Sequence, residues 1–251
     1  MTNDTARPLA GRRALVTGGS RGIGAEIVRR LAADGADVVF TYHSSPEPAR
    51  QVAAEAGAHG TKIVAIQADS ADAEAVAAAV DNAVEQLGGL DILVNNAGVA
   101  TFGEVQDYPL AEFDRLVDIN VRGVFVAMQR AIPHLGRGGR IITIGSVNAQ
   151  WAPIGRIAVY AMTKAAVAGL TRAVARELGP RGITVNNIQP GPVATDLNPD
   201  EGEFADTLRG FSALGHYGQT RDVASAVAYL AAPEAGFVTG VNWNIDGGVT
   251  L

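Results

Sequence analysis

The sequence predicts an α/β protein, a parallel sheet covered by helices on both faces. Short, almost continuously apolar runs recur at residues 13–17, 37–42, 63–68, 91–95, 141–145, 183–188 and 241–245. Strands buried on both faces read this way. Between them lie stretches with apolar residues at helical spacing, such as Val76, Val80, Val84 and Leu87, which read as amphipathic helices. No linker, repeat or low-complexity block interrupts the alternation across the 251 residues, a length that α/β folds often complete as one unit. A single domain over 1–251 is therefore expected.

Composition narrows the function classes. Hydrophobic residues make up 47% and charged residues 18% of the chain, which suits a large packed core. A net charge of −6 runs against nucleic-acid binding, which usually needs a basic domain. The chain has no cysteine, and its four histidines, at 43, 59, 134 and 216, are scattered without metal-ligand spacing, so neither a disulfide nor a metal is expected. The polar N-terminal leader lacks the apolar core of a signal peptide, and no run of about eighteen apolar residues could span a bilayer. The expectation is a cytoplasmic protein without nucleic-acid or membrane partners.

Taken in order, the first strand, Arg13 to Thr17, runs directly into Gly18-Gly-Ser20-Arg21-Gly22-Ile23-Gly24. Ile23, Ile27, Val28 and Leu31 continue as a helical face, with Gly35 placed to end it. Strand, glycines and helix in that order suit a dinucleotide, because the glycines admit phosphates to the backbone and the helix N-terminus offers free N–H groups. A ligand-free tight turn is the plainer alternative. Asn95-Asn96-Ala97-Gly98 follows the fourth strand, where small and polar residues at a strand's C-terminal end can line a crevice. A helical stretch from Leu110 to His134 carries Asn120 in its interior, and a mid-helix Asn raises the question of what its side chain bonds. Ser146 ends the fifth strand. Trp151, Pro153, Ile154 and Arg156 are bulky enough to wall a pocket, and Pro190-Gly191-Pro192-Val193-Ala194-Thr195 ends the sixth strand. Residues 192–218 are polar and weakly periodic, as a substrate lid would be. Thr220 is placed to cap the last helix, and Asp246-Gly247-Gly248 turns the chain after the seventh strand.

Tyr160 and Lys164 stand four residues apart, fourteen and eighteen after Ser146. In a helix that spacing makes them neighbours. An ammonium beside a phenol favours the phenolate and makes Tyr160 a usable general acid or base, with Ser146 able to hydrogen-bond the same substrate oxygen. A Lys stem covering a Tyr ring on a solvated face has the same spacing. The chain's only lysines are Lys62 and Lys164, against eighteen arginines, so a compact ammonium at 164 points to a need that a guanidinium does not meet.

These residues in this order (Thr17-Gly18-x-x-x-Gly22-Ile23-Gly24, Asn95-Asn96-Ala97-Gly98, Asn120, Ser146, Tyr160-x-x-x-Lys164, Pro190-Gly191 with Thr195, and Asp246-Gly247-Gly248) resemble the short-chain dehydrogenases/reductases over nearly the whole chain, particularly the branch similar to 3-oxoacyl-carrier-protein reductases. The resemblance implies a Rossmann-type doubly wound sheet of seven parallel strands in order 3-2-1-4-5-6-7 and an assembly of four identical chains. It implies Tyr160 as proton donor, Ser146 orienting the carbonyl, Lys164 lowering the phenol pKa while holding the nicotinamide ribose, and Asn120 positioning a water. It also places the cofactor against Gly18, Ser20, Arg21, Gly22, Ile23, Gly24, Tyr42, His43, Ser44, Ser45, Asp69, Ser70, Asn96, Ala97, Gly98, Tyr160, Lys164, Pro190, Gly191, Val193 and Thr195, and the substrate against Ser146, Trp151 and Tyr160. The Ser146 to Tyr160 interval is one residue longer than the commoner family spacing, which bears on the pocket wall. Arg137 and Arg181 sit where members that use acidic carriers often place basic residues, whereas the lid carries Asp196, Asp200, Glu201, Glu203 and Asp206.

The cofactor expected is NADP(H). Folds that choose NAD place an acid about twenty residues beyond the glycines, and the run from Val38 to Ser45 has no carboxylate. Arg21, His43, Ser44 and Ser45 could receive a 2′-phosphate, with Tyr42 near the adenine. The function expected is hydride transfer between NADP(H) and a small-molecule ketone, 3-oxoacyl group or secondary alcohol. A non-catalytic dinucleotide-binding regulator, or a dehydratase or epimerase, could share the scaffold.

Overall fold

The computed structural model describes residues 7–251; the polar leader, residues 1–6, lies outside the described residues. Seven strands form one sheet in the order β3-β2-β1-β4-β5-β6-β7, every neighbouring pair parallel. They are β1 (Arg13–Val16), β2 (Asp37–Tyr42), β3 (Ile63–Gln67), β4 (Ile92–Asn95), β5 (Arg140–Ile144), β6 (Thr184–Pro190) and β7 (Asn242–Ile245). The helices are α1 (Gly22–Ala33), α2 (Pro46–Gly57), α3 (Ala73–Leu87), α4 (Leu110–Val117), α5 (Gly123–Ala131), α6 (Ala158–Leu178), α7 (Glu203–Phe211) and α8 (Thr220–Ala231).

Two apolar cores form because successive strand residues point to opposite faces. Val16, Val38, Phe40, Val94 and Ile142 pack with Ile27, Leu31, Val52, Val227 and Leu230 of α1, α2 and α8. On the other face Leu15, Val39, Leu93, Ile141 and Val185 meet Val80, Met128, Val167 and Leu178 of α3, α5 and α6. Within the second face runs a polar row. Asn95, Thr143, Asn187 and Asn242 are register partners across β4, β5, β6 and β7. Asn187 Nδ2 donates to Asn242 Oδ1 at 2.8 Å.

Local sequence accounts for most helix ends. Asp72 caps α3 by accepting from the Glu74 and Ala75 N–H groups, and Gly88 ends it at φ 71°, a left-handed conformation that favours glycine. Gly35 follows α1 at φ 102°. Three details depart from the sequence reading. Gln219, not Thr220, caps α8, in a reciprocal pair with Asp222. The stretch from Leu110 to His134 contains a π-helical turn at Asp118–Arg122. The expected lid region is not uniformly irregular: it contains α7, whose N-terminal turn is acidic and whose last turn carries Arg209, a charge order that suits the helix dipole. Among the described residues no helix is long and apolar enough to cross a membrane.

Candidate active site

Every strand is parallel, so the loops after β1, β2, β4, β5 and β6 meet along one edge of the sheet. The glycine turn there is shaped by its neighbours. Gly18 N–H donates to Thr41 Oγ1 at 3.0 Å and Gly19 N–H to the Thr41 carbonyl at 2.8 Å. Asn96 Nδ2 donates to the carbonyls of Thr17 and Gly18, both at 2.9 Å, while Thr17 Oγ1 accepts from the Asn96 and Ala97 N–H groups at 3.0 Å. A Cβ at Gly19 would stand 2.7 Å from Phe40 Cβ, and one at Gly18 would stand 3.0 Å from Ala97 Cα. The Arg21 side chain does not cap α1, which leaves that helix's first N–H groups facing the turn. Thr195 closes in from β6: its Cγ2 lies 3.5 Å from where a Gly22 Cβ would be. This cradle of small residues and free donors fits a dinucleotide's diphosphate.

Where β2 ends, Tyr42 is half-buried, whereas His43 and Ser44 are exposed. The run from Val38 to Ser45 has no carboxylate of its own, yet Asp69 Oδ1 lies 3.8 Å from His43 Nδ1. The cause is register. Tyr42 pairs with Gln67, so the residues following β3 run beside those following β2. Asp69 also accepts from the Ala71 N–H at 2.9 Å, which holds the carboxylate at the turn before α3.

The groups expected to do chemistry converge beyond β4 and β5. Asn120 sits in the π-helical turn and is buried. Its Oδ1 accepts from Val99 N–H and its Nδ2 donates to the Val99 carbonyl, both at 2.9 Å, and also to Thr163 Oγ1 at 3.1 Å. Ser146 Oγ accepts from Asn148 N–H at 3.1 Å and lies beside the Tyr160 phenol. Tyr160 and Lys164 lie on successive turns of α6, with Nζ 5.7 Å from the ring centroid. Lys164 is buried and donates to the Ile144 carbonyl at 3.0 Å. A Cβ at Gly98 would come within 3.4 Å of both Asn120 Oδ1 and Lys164 Nζ, so the glycine keeps that approach open.

Electrostatics at these groups differ from the simplest expectation. Burial pushes the Tyr160 phenol above its usual value of 10.0, with the Ser146 hydroxyl pulling the other way. The same burial pushes Lys164 down to about 8. Desolvation disfavours the charged form of each group, and here it outweighs any help the ammonium gives the phenol.

On the far side of the site, Gly191 packs so closely that a Cβ would lie 2.8 Å from Asp246 Cα. Val193 bridges to Gly218, and its carbonyl accepts from Asn198 Nδ2 at 3.1 Å. Trp151, from the wall loop, meets Phe211 of α7 edge-to-face at 5.2 Å. Arg137 and Arg181 lie elsewhere, in the loops before β5 and β6 at the opposite edge. Arg181 donates there to the Ile132 and Leu135 carbonyls.

Thr41, Val99, Asn148, Thr163 and Phe211 join the site without having stood out in the sequence. Thr163, set between Tyr160 and Lys164, carried the one local signal; the others reach the site from positions distant in sequence or through backbone groups.

The family profile described as enoyl-(acyl carrier protein) reductase matches residues 18–250. A crystal structure described as a short chain dehydrogenase from Burkholderia cenocepacia in complex with NADP superposes with a TM-score of 0.96 at 51% identity, covering 97% of this chain and 100% of that one. The chain belongs to the short-chain dehydrogenase/reductase family. Another relative of this dehydrogenase/reductase is the cyclic-di-GMP-binding biofilm dispersal mediator protein of Escherichia coli, 46% identical over 94% of this chain and 96% of that protein. A third is the 3-oxoacyl-acyl-carrier-protein reductase of Staphylococcus aureus, 40% identical over 95% and 98% respectively.

Proposed function

We propose that this short-chain dehydrogenase/reductase transfers a hydride between NADP(H) and a carbonyl or secondary alcohol, acting as a ketone or 3-oxoacyl reductase. The carrying observation is the placement of the Tyr160 phenol beside Ser146, with Lys164 one turn away and buried. The NADP-bound relative and the 3-oxoacyl reductase support the same reading. When bound, NADPH supplies the hydride. The chain's own residues do the rest. Gly18, Gly22, Gly24 and Thr195 would hold the diphosphate, Arg21, His43, Ser44 and Ser45 the 2′-phosphate, and Lys164 the nicotinamide ribose. Ser146 donates a hydrogen bond to the substrate oxygen, Tyr160 delivers the proton to that oxygen, and Asn120 holds the loop that faces them. Residues 192–218 serve as the lid, the working assembly is a homotetramer, and the protein acts in the cytoplasm.

NADPH consumption by the purified chain, followed across a panel of ketones, acyl thioesters and quinones, tests the central reading. Turnover that vanishes in Tyr160→Phe is the supporting result, and no consumption with any carbonyl would refute it. A regulatory reading has one specific support, the similarity to the cyclic-di-GMP-binding protein of Escherichia coli. Titration with cyclic-di-GMP, in the presence and absence of NADPH, decides whether this chain shares that binding. Light scattering at micromolar concentration decides the assembly, a monomeric mass being the adverse result.

A further inference from the structure

The mouth of the site combines two features that the chemistry above does not require. First, its walls are apolar where they face outward. Leu197, Phe204 and Leu214 are exposed in the lid region, and Phe102 is exposed on the loop after β4. That loop is tied to the wall loop by Gly103 N–H donating to the Arg156 carbonyl at 2.9 Å. Trp151 of the wall loop in turn meets Phe211 of α7 edge-to-face, so the loop after β4, the wall loop and α7 are joined by contacts beside Ser146 and Tyr160. A concentration of exposed apolar groups around a pocket marks a surface that is covered in use.

Second, the lid is acidic. It carries Asp196, Asp200, Glu201, Glu203 and Asp206, and its one arginine, Arg209, is engaged by Asp206 and by the Asp200 carbonyl while lying over the Tyr217 ring. The wall loop contributes Arg156 alone. A surface of one charge sign disfavours partners of the same sign, a second route to specificity beside favourable contacts. The basic residues that an acidic carrier protein would seek, Arg137 and Arg181, lie at the other edge of the sheet.

We infer that the substrate is a neutral, bulky aromatic ketone, and that Phe211 together with Trp151 determines this specificity by packing against the substrate's ring. The inference rests on the carbonyl-reductase reading given above and names its substrate class. A T-shaped aromatic pair can accept a further ring with favourable geometry. The lid carboxylates then disfavour both a substrate carboxylate and the phosphopantetheine arm of a carrier.

The test uses the full-length protein with NADPH and four probes: 1-tetralone, a carboxylate-bearing tetralone, 2-butanone, and an acetoacetyl thioester on an acidic carrier protein. The kcat/KM for 1-tetralone should exceed those for the carboxylated analogue and the carrier thioester by about tenfold or more, the scale on which pocket contacts discriminate. Added salt should narrow the gap between the neutral and carboxylated tetralones, because it screens exposed charge. Phe211→Ala should raise the KM for 1-tetralone by about tenfold more than that for 2-butanone, whereas Phe211→Tyr should keep the wild-type ratio. NADPH binding by fluorescence shows that each variant is folded. Preference for the carrier thioester or the carboxylated ketone, or an equal KM effect of Phe211→Ala on both ketones, would overturn the inference while leaving the reductase reading intact. Failure to reduce any of the four probes would overturn the inference, and an absence of NADPH consumption across the wider panel of carbonyls would overturn the reductase reading with it.

Discussion

Asn120 and Val99 exchange two hydrogen bonds, side chain to backbone in both directions, each at 2.9 Å. The π-helical turn at Asp118–Arg122 presents the side chain for this. Its third bond reaches Thr163 Oγ1, which donates to the Tyr160 carbonyl at 2.8 Å. The loop after β4 and the first turns of α6 are thereby joined through one carboxamide. Asn120→Ala should destabilise the fold by about 1–3 kcal/mol, the cost of leaving buried groups unpaired, and should lower turnover more than NADPH affinity. Urea unfolding beside steady-state kinetics measures both, and unchanged stability would show that the exchange contributes nothing.

Tyr160→Phe keeps the ring and removes the proton donor. We predict a loss of turnover of about a hundred- to ten-thousandfold, the usual contribution of general acid catalysis, with NADPH affinity nearly unchanged. Retention of half the wild-type rate would remove Tyr160 from the mechanism.

Lys164 makes the stability of the protein depend on pH. An unfolded lysine titrates near 10.5, whereas Lys164 in the fold titrates at about 8. Between those values the unfolded chain holds a proton that the folded chain has released, so stability rises with pH across that window; below it both states are charged and the burial penalty is full. The shift corresponds to roughly 3 kcal/mol. Tyr160 acts in the opposite sense: its phenol is raised above 10.0, so stability falls as the unfolded phenol ionises above that value. The gain is therefore readable from about pH 8 to 10 in urea unfolding without added cofactor. Lys164→Met should flatten it, and an identical slope in that variant would assign the effect elsewhere.

Cofactor choice should turn on Arg21 and Tyr42. Arg21→Ala should raise the KM for NADPH far more than that for NADH, because it removes a guanidinium suited to phosphate. Tyr42→Asp should shift preference toward NADH by placing a carboxylate at the end of β2. A wild-type kcat/KM higher with NADH than with NADPH would refute this reading of β2.

Much of the architecture was legible because it is written in local pattern. Apolar runs marked all seven strands, and the spacing of Val76, Val80, Val84 and Leu87 marked α3. Strand order came from resemblance rather than periodicity, since nothing in a strand's own residues names its neighbour. What stayed hidden depends on distance in sequence. Asp69 meets His43 only because β3 pairs with β2, and Thr41 shapes the glycine turn from a separate strand. Phe211 reaches Trp151 from a helix in a stretch whose polarity masked it. The lysine's pKa was also hidden, because spacing shows that Lys164 is near Tyr160 but not that both are desolvated.

The Asn187–Asn242 amide pair, in a buried row with Asn95 and Thr143, ties the register of β6 to that of β7 beneath the reactive edge. A parallel strand slipped by one residue turns its side chains to the other face, so a slip of β6 would thrust the Asn187 amide among the aliphatic side chains of α8. The same strands lead directly into the groups that matter: β4 into Asn96, β5 into Ser146, β6 into Gly191 and Thr195. One residue of slip moves a strand end by about 3.3 Å, enough to take the Ser146 hydroxyl away from the phenol it adjoins. A single amide pair between β6 and β7 thus bears on the height at which the side chains beyond β6 stand above the sheet.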